Sequence, residues 1–349
     1  MTRYAVLILP SANRVYADAA AGLIAAELAA VSDSVLGGAL SAATLTERGG
    51  VSYLDFEAAD LGVEAATFLS NVSGVYALFE VRAGELLAPV GLRPLDRFDD
   101  DLITIQKYQG KTNEQFTKLL LNVTLLASAF APELAVRRFS VLDPLCGRGT
   151  TLNQALMYGY DAAGIDADRA ATDAYGTFIR TWLQRKRIKH KVTYDGPVRR
   201  EGKVAGRRLQ VSLAADAADF KAGRTQQLDV VCADTTRAGE FFRPAAFDLV
   251  VTDAPYGVQH GSRSAASGLH RRPQDLLTAA VPAWAALLRP GGALGIAWNT
   301  NVASRADAIS IVAAAGLEPV DTGPYQQFRH RVDQSIVRDV VVARKPAGP

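Results

Sequence analysis

The chain has 349 residues, 49% of them hydrophobic and 21% charged, and its 38 Lys plus Arg stand against 36 Asp plus Glu for a formal charge of +2. That composition excludes an intrinsically disordered chain and a polyanion binder that is charged over its whole surface. The length suits two domains, each large enough to bury its own core.

In chain order, residues 4–9 read as a buried strand, residues 10–13 as a turn, and residues 15–31 as a helix with Leu23, Ile24 and Leu28 at helical spacing. Strand-like pieces follow at 51–56 and 75–81, the second alternating apolar and polar residues before a turn at 82–85. Residues 1–100 thus make a small α+β module, ferredoxin-like or related, and the Asp- and Arg-rich stretch 94–101 is its linker. Thr112-Asn113-Glu114-Gln115 then carries a capping-box signature, with Thr112 as the cap of a helix whose apolar face is Phe116, Leu119, Leu120, Val123, Leu126 and Ala127.

Beyond it, short apolar runs at 139–142, 162–165, 228–232, 247–252 and 293–298 alternate with helical stretches at 150–158, 168–185, 274–288 and 304–315. Buried strands alternating with helices mean an α/β domain, here 105–349, with a mostly parallel sheet covered on both faces. A basic insertion at 185–210 interrupts it. Between 185 and 208 there are ten Lys or Arg and two acids, net +8, whereas the rest of the chain has 28 positive and 34 negative charges. Arg185, Lys186, Arg187, Arg199, Arg200, Arg207 and Arg208 are the candidates to neutralise nucleic-acid phosphates, with turn signals at Asp195-Gly196 and at 204–206 suggesting a hairpin. The bland reading of the same run is a solvated basic loop.

Cys146 and Cys232 are the only cysteines, neither in a C-x-x-C, and the four histidines lack metal-ligand spacing, so no disulfide framework and no metal are expected. Arg3 ahead of an apolar run imitates a signal peptide, but Pro10 and Arg14 cut the run short. No run approaches the roughly 20 apolar residues of a membrane span. The expectation is a soluble, cytoplasmic protein without a membrane partner.

The run Asp143-Pro144-Leu145-Cys146-Gly147-Arg148-Gly149-Thr150 places two glycines between a strand and a helix. Such glycines allow tight turning and close approach of backbone to a ligand. The loop lacks the Lys-Ser/Thr of a phosphate-cradling P-loop, and Asp143 at the strand's carboxyl end suits a cationic ligand. The next strand ends Gly164-Ile165-Asp166-Ala167-Asp168; Asp166 is placed to accept ribose hydroxyls and Asp168 to cap a helix. Asp234, followed by Thr235, ends a further strand, and Asp216 is its rival of the same form.

The glycine loop resembles the first motif of class I S-adenosylmethionine-dependent methyltransferases, and Gly-Ile-Asp-Ala-Asp is similar to their ribose-binding second motif. The resemblance implies that Asp143, Pro144, Cys146, Gly147, Gly149 and Thr150 hold the cofactor's methionine end, and Asp166 and Ala167 its ribose. Asp234 and Thr235 would meet the adenine amino group. Tyr108-Gln109-Gly110-Lys111-Thr112 is similar to the segment that closes over the methionine moiety, which adds Lys111 and Thr112. It implies a Rossmann-like sheet of seven strands, the last antiparallel over 335–344.

The strand 247–252 delivers Asp253-Ala254-Pro255-Tyr256, which resembles the D/N-P-P-Y motif of methyltransferases acting on exocyclic amino groups of nucleobases; Thr252 and Gly257 sharpen the likeness to RNA guanine-N2 enzymes. An aryl amine is a poor nucleophile, so Asp253 and the carbonyl of Ala254 would accept its two N–H hydrogens and aim its lone pair, while Tyr256 would stack on a flipped base. Ala254 stands where the usual motif has its first proline, which leaves a carbonyl but loses a fixed φ. Guanine-N2 enzymes acting on tRNA normally carry a ferredoxin-like piece and an RNA-binding THUMP domain in front, and about 100 residues cannot hold both. The implied function is S-adenosylmethionine-dependent N-methylation of a base in RNA, foremost guanine N2 of tRNA. DNA adenine-N6 or cytosine-N4 methylation, small-molecule N-methylation and a non-catalytic RNA-binding subunit stay open beside it.

Overall fold

The computed structural model describes residues 1–254 and 273–348. Its first 90 residues run β1 (Thr2–Ile8), α1 (Arg14–Val35), β2 (Thr44–Arg48), β3 (Val51–Ala58), α2 (Val63–Ser70), β4 (Val75–Arg82) and β5 (Leu86–Val90). The strands form one antiparallel sheet in the order β2-β3-β1-β4-β5. The first four strands with α1 and α2 trace the ferredoxin-like β-α-β-β-α-β path, and β5 adds a hairpin at the edge. By length and composition α1 is apolar enough to cross a membrane, yet more than half of that stretch is buried inside the protein.

The second sheet is built from β6 (Ser140–Asp143), β7 (Asp161–Asp166), β8 (Lys189–Arg200), β9 (Lys203–Ala214), β10 (Gln226–Cys232), β11 (Phe247–Asp253), β12 (Leu288–Asn299), β13 (Glu318–Pro319), β14 (His330–Arg331) and β15 (Val337–Arg344). Ahead of it come the single turn α3 (Asp101–Thr104) and α4 (Glu114–Ala127), and between the strands lie α5 (Thr150–Met157), α6 (Arg169–Arg185), α7 (Ala217–Lys221), α8 (Pro273–Leu287) and α9 (Arg305–Ala314). Strand order is β13-β15-β12-β11-β6-β7-β10-β9-β8, with β14 paired to β15. The five central strands from β12 to β10 are parallel and β15 is antiparallel, the Rossmann-like methyltransferase arrangement.

The sheet has ten strands: to the seven of β13-β15-β12-β11-β6-β7-β10 the basic insertion adds β8 and β9, and β14 pairs beside β15. Leu209, Val211 and Leu213 alternate into the core along β9, and this one apolar row docks the β8–β9 hairpin antiparallel on β10. The density of Lys and Arg in the sequence conceals that period.

Module and sheet share one apolar core, in which buried residues of α1 lie with those of α4. On α1, the fully buried Glu27 carboxylate accepts hydrogen bonds from the Ser73 N–H (3.0 Å) and from Asn122 Nδ2 on α4 (2.6 Å). Tyr158 Oη donates onward to Asn122 Oδ1 at 3.0 Å. Burial pushes the Glu27 carboxyl above its ordinary value, and Ser73 and Asn122 oppose that rise. The segment read as a linker is also tied down: Arg97 N–H bonds the Met157 carbonyl, and Lys186 pairs with Asp99 and Asp101.

Candidate active site

The chain leaves β6 toward β7 on one side, while β11 lies on the other, so the crevice at the carboxyl ends of β6 and β11 is the topological switch point of the sheet. Asp143 ends β6 and Asp253 ends β11. Asp143 is buried and accepts from Thr252 Oγ1 at 2.8 Å and the Leu145 N–H at 3.1 Å. Among the described residues no cation offsets its charge, and burial pushes its carboxyl up to about 7.

After β6 the loop turns through Gly147 (φ +48°) and Gly149 (φ +79°) into α5. A side chain at Gly147 would meet open space, whereas one at Gly149 would strike the Tyr175 ring at 2.3 Å. The Gly147 N–H donates to Asp166 Oδ2 and the Asp168 N–H to Asp166 Oδ1, both at 2.8 Å, so the acid of β7 braces the glycine loop. Burial raises the Asp166 carboxyl and these two N–H groups oppose the rise. Asp168 caps α6, as its position in the sequence suggests, and Ala167 is exposed between them. Thr150 at the start of α5 shares a 2.9 Å hydrogen bond with Tyr108.

Other sequence candidates turn out to have structural duties. Cys146 packs its sulfur inward against Gly164, where burial drives the thiol pKa well up, so only its backbone belongs to the loop surface; Pro144 is buried too. Lys111 donates to the Ile103 carbonyl at 2.7 Å and pairs with Glu114, which closes the 103–114 segment on itself. Thr235 is buried and accepts from Trp284 Nε1 at 3.0 Å. Asp234 is exposed at the end of β10, where it accepts the Thr236 N–H at 2.9 Å. Its rival Asp216 caps α7 beyond the end of β9, which runs antiparallel to β10, and therefore sits at the opposite end of the sheet from the crevice.

Thr112 is not the cap of α4. Asn113 is, accepting the Phe116 N–H at 3.0 Å, and the Thr112 hydroxyl instead donates to Asp253 Oδ2 at 2.7 Å. Arg338 of β15 reaches the same oxygen through Nη2 at 3.3 Å. Sequence reasoning overlooked Arg338, although an arginine beside Asp339 within the apolar run of β15 was a visible signal. Ala254 is buried and its N–H donates to the Ala297 carbonyl at 2.8 Å. Pro255, Tyr256 and Gly257 lie outside the described residues.

The hairpin divides the basic arm in two. Arg207 pairs in register with Cys232 at the carboxyl end of β10, so the tip with Arg199, Arg200 and Lys203 projects on the crevice side. Arg185 ends α6, which runs back from Asp166, and Lys186 and Arg187 follow it, so all three lie at the other end of the sheet. Arg208 is committed to Asp229 (Nε to Oδ1, 2.7 Å) and Lys186 to Asp99 and Asp101. Arg200 is anchored to the Glu240 carbonyl, and Arg207 lies 3.8 Å from Asp195.

Residues 127–292 match the family described as RMKL-like, methyltransferase domain. A ribosomal RNA large subunit methyltransferase K/L from Photobacterium profundum is 30% identical over 126 residues, which cover 35% of this chain and 18% of that protein. Among solved structures, TrmN from Thermus thermophilus aligns over 99% of this chain and 100% of its own at 14% identity and a TM-score of 0.44. A 1,6-didemethyltoxoflavin-N1-methyltransferase from Burkholderia thailandensis aligns over 60% and 72% at 16% identity and a TM-score of 0.34. With the glycine loop, the second-strand acid and the strand-end Asp253 in order on this sheet, the matched segment is a class I S-adenosylmethionine-dependent methyltransferase domain.

Proposed function

We propose that the chain methylates an exocyclic amino group of a nucleobase in structured RNA, with guanine N2 of cytoplasmic transfer RNA as the target. The observation that carries this reading is the position of Asp253: at the switch-point crevice, at the end of the strand next to the one that leads into the glycine loop. The relative from Photobacterium profundum, by name a ribosomal RNA methyltransferase, supports RNA as the substrate class.

The donor set of the crevice fits S-adenosylmethionine. Asp143 is a buried carboxylate without a cationic partner among the described residues, Gly147 leaves room where a side chain would stand, and Asp166 is held facing the loop. When bound, the cofactor supplies an electrophilic methyl group on a sulfonium sulfur. Asp253 and the Ala254 carbonyl accept the substrate's amino hydrogens and aim its lone pair, and Tyr256 stacks on the base for roughly 1–3 kcal/mol. Catalysis is then mostly positioning.

Asp143 gives this assignment a pH signature. A cationic ligand binds the carboxylate form, so lowering pH through about 7 protonates the site and weakens binding. The calorimetric Kd for S-adenosylmethionine should rise about tenfold from pH 8 to pH 6, since binding must displace a proton below that pKa. Asp143→Asn should bind weakly and flatten the profile. Equal affinity of the native protein at both pH values would remove Asp143 from the cofactor's charge.

The function itself is tested with labelled S-adenosylmethionine, RNA and DNA from cells lacking the protein, and mass spectrometry of the nucleosides. N2-methylguanosine in the transfer RNA fraction is expected. Label in ribosomal RNA alone would shift the target, and label only in DNA or nowhere would overturn the proposal. In the same assay, Gln at Arg199, Arg200 and Lys203 should weaken RNA binding and lower its salt slope by about one for each phosphate no longer neutralised. Gln at Arg185 and Arg187, at the far end of the sheet, should do so less.

A further inference from the structure

We infer that Arg338 is a positioning residue of Asp253, and that a row of aromatic rings beneath its guanidinium ties that carboxylate to the N-terminal module. The inference rests on the role proposed for Asp253 and adds the machinery that holds it.

Arg338 pairs in register with Asn299 at the carboxyl end of β12, the strand that separates β15 from β11. From there its side chain crosses the end of β12 to place Nη2 3.3 Å from Asp253 Oδ2. Thr112 donates to the same oxygen at 2.7 Å from a separate segment of the chain, ahead of α4. Two donors from two separate elements on one oxygen fix the rotation of a carboxylate more firmly than either alone, and the acceptor direction it presents to a substrate follows. A lysine would bring the charge but not the planar fork.

The guanidinium is itself immobilised. Arg338 is only 4% exposed, and its guanidinium carbon lies 4.1 Å from the centroid of the buried Phe116 ring. The Phe116 ring is 5.1 Å from that of His330, which in turn meets the edge of Tyr16 at 6.3 Å. Tyr16 stands in the first turn of α1, in the ferredoxin-like module. His330 Nδ1 bonds the Phe328 carbonyl at 2.9 Å, and burial first, then the Arg338 charge, hold the ring at about 4 and so neutral at physiological pH. A neutral imidazole does not repel the arginine, and the row Tyr16, His330, Phe116, Arg338 is continuous from the module to the crevice.

The test is Arg338→Ala in the full chain, assayed for methyl transfer, for cofactor affinity by calorimetry and for thermal stability. Transfer should fall about 100-fold in kcat, the scale of a misplaced reacting group, with the S-adenosylmethionine Kd unchanged and part of kcat restored by added guanidinium ion. Arg338→Lys should be intermediate, and carries the same split of kcat against Kd if the alanine variant does not fold. Tyr16→Leu should lower kcat in the same direction by a smaller factor. Wild-type kcat in Arg338→Ala, or a loss that follows stability alone and is untouched by guanidinium, would overturn the inference. A native protein that methylates no nucleic acid would overturn the functional reading instead. In that event the crystal structure of Arg338→Ala still decides, since an Asp253 carboxylate in its original rotamer would sink the positioning role and a rotated one would support it.

Discussion

Asp253→Asn should cost at least about 100-fold in methyl transfer, the range lost when one preorganised polar partner of a reacting group is removed. The change is isosteric and the amide oxygen still accepts from Thr112. In the proposed reaction, what disappears is the second strong acceptor and the negative charge that would face the amine as it gains positive character. The same substitution removes the charge opposite a nearly buried arginine, and weakening a buried ion pair from one side is destabilising. Part of that cost should show as a lower melting temperature, so transfer must be measured below the new transition. Cofactor affinity is the control: Asp143, the glycine loop and Asp166 are untouched, and calorimetry should return the native Kd. Near-native turnover in a folded Asp253→Asn protein would remove this carboxylate from the reaction.

Gly149→Ala attacks the other half of the site. At φ +79° an L side chain costs roughly 1–2 kcal/mol, and here the new methyl would also lie 2.3 Å from the Tyr175 ring. Tyr175 cannot yield easily, being fully buried with its hydroxyl on Asn153 Oδ1 at 3.0 Å, so overpacking adds about 1–3 kcal/mol. The cheaper response is for the loop to move, and moving it breaks the Gly147 bond to Asp166. S-adenosylmethionine binding should therefore fall by about 100-fold or more, the equivalent of roughly 2.7 kcal/mol, along with a lower melting temperature. Gly147→Ala meets no neighbouring atom and carries only the backbone strain, so it should be clearly milder in stability. Equal stability losses in the two variants would show that Tyr175 gives way.

The parts of this site that can be read from sequence are those written in a few consecutive residues. Asp143 with its glycines, Asp166 and Asp253 each end a short apolar run, and an apolar run followed by an acid marks the carboxyl end of a strand. What escaped depends on contacts distant in the chain. Thr112 and Asn113 are both competent caps, and nothing local says that the threonine is claimed by an aspartate 141 residues away. Arg338 reaches Asp253 over 85 residues. The choice between Asp234 and Asp216 turns on the direction of β9, which a sequence dominated by charge does not reveal. For the same reason the basic run read as one arm, whereas α6 and the hairpin carry its two parts to opposite ends of the sheet's strands. In the front module the short β2 and α2 offer too few periods to be seen.

The hairpin tip also sets a length. Residues 203–206 of β9 lie past Arg207, the last residue paired with β10 at Cys232, and at a strand rise of about 3.3 Å they overhang the sheet by about 13 Å. Because Arg200 is anchored to the Glu240 carbonyl, the overhang is braced against the body of the domain. If a base is held at Asp253 as proposed, a braced overhang would work as a ruler: its charges could meet a phosphate only at a set distance from that base. Selection among RNA sites would then depend on how far the backbone stands from the flipped nucleotide, with no need to read neighbouring bases.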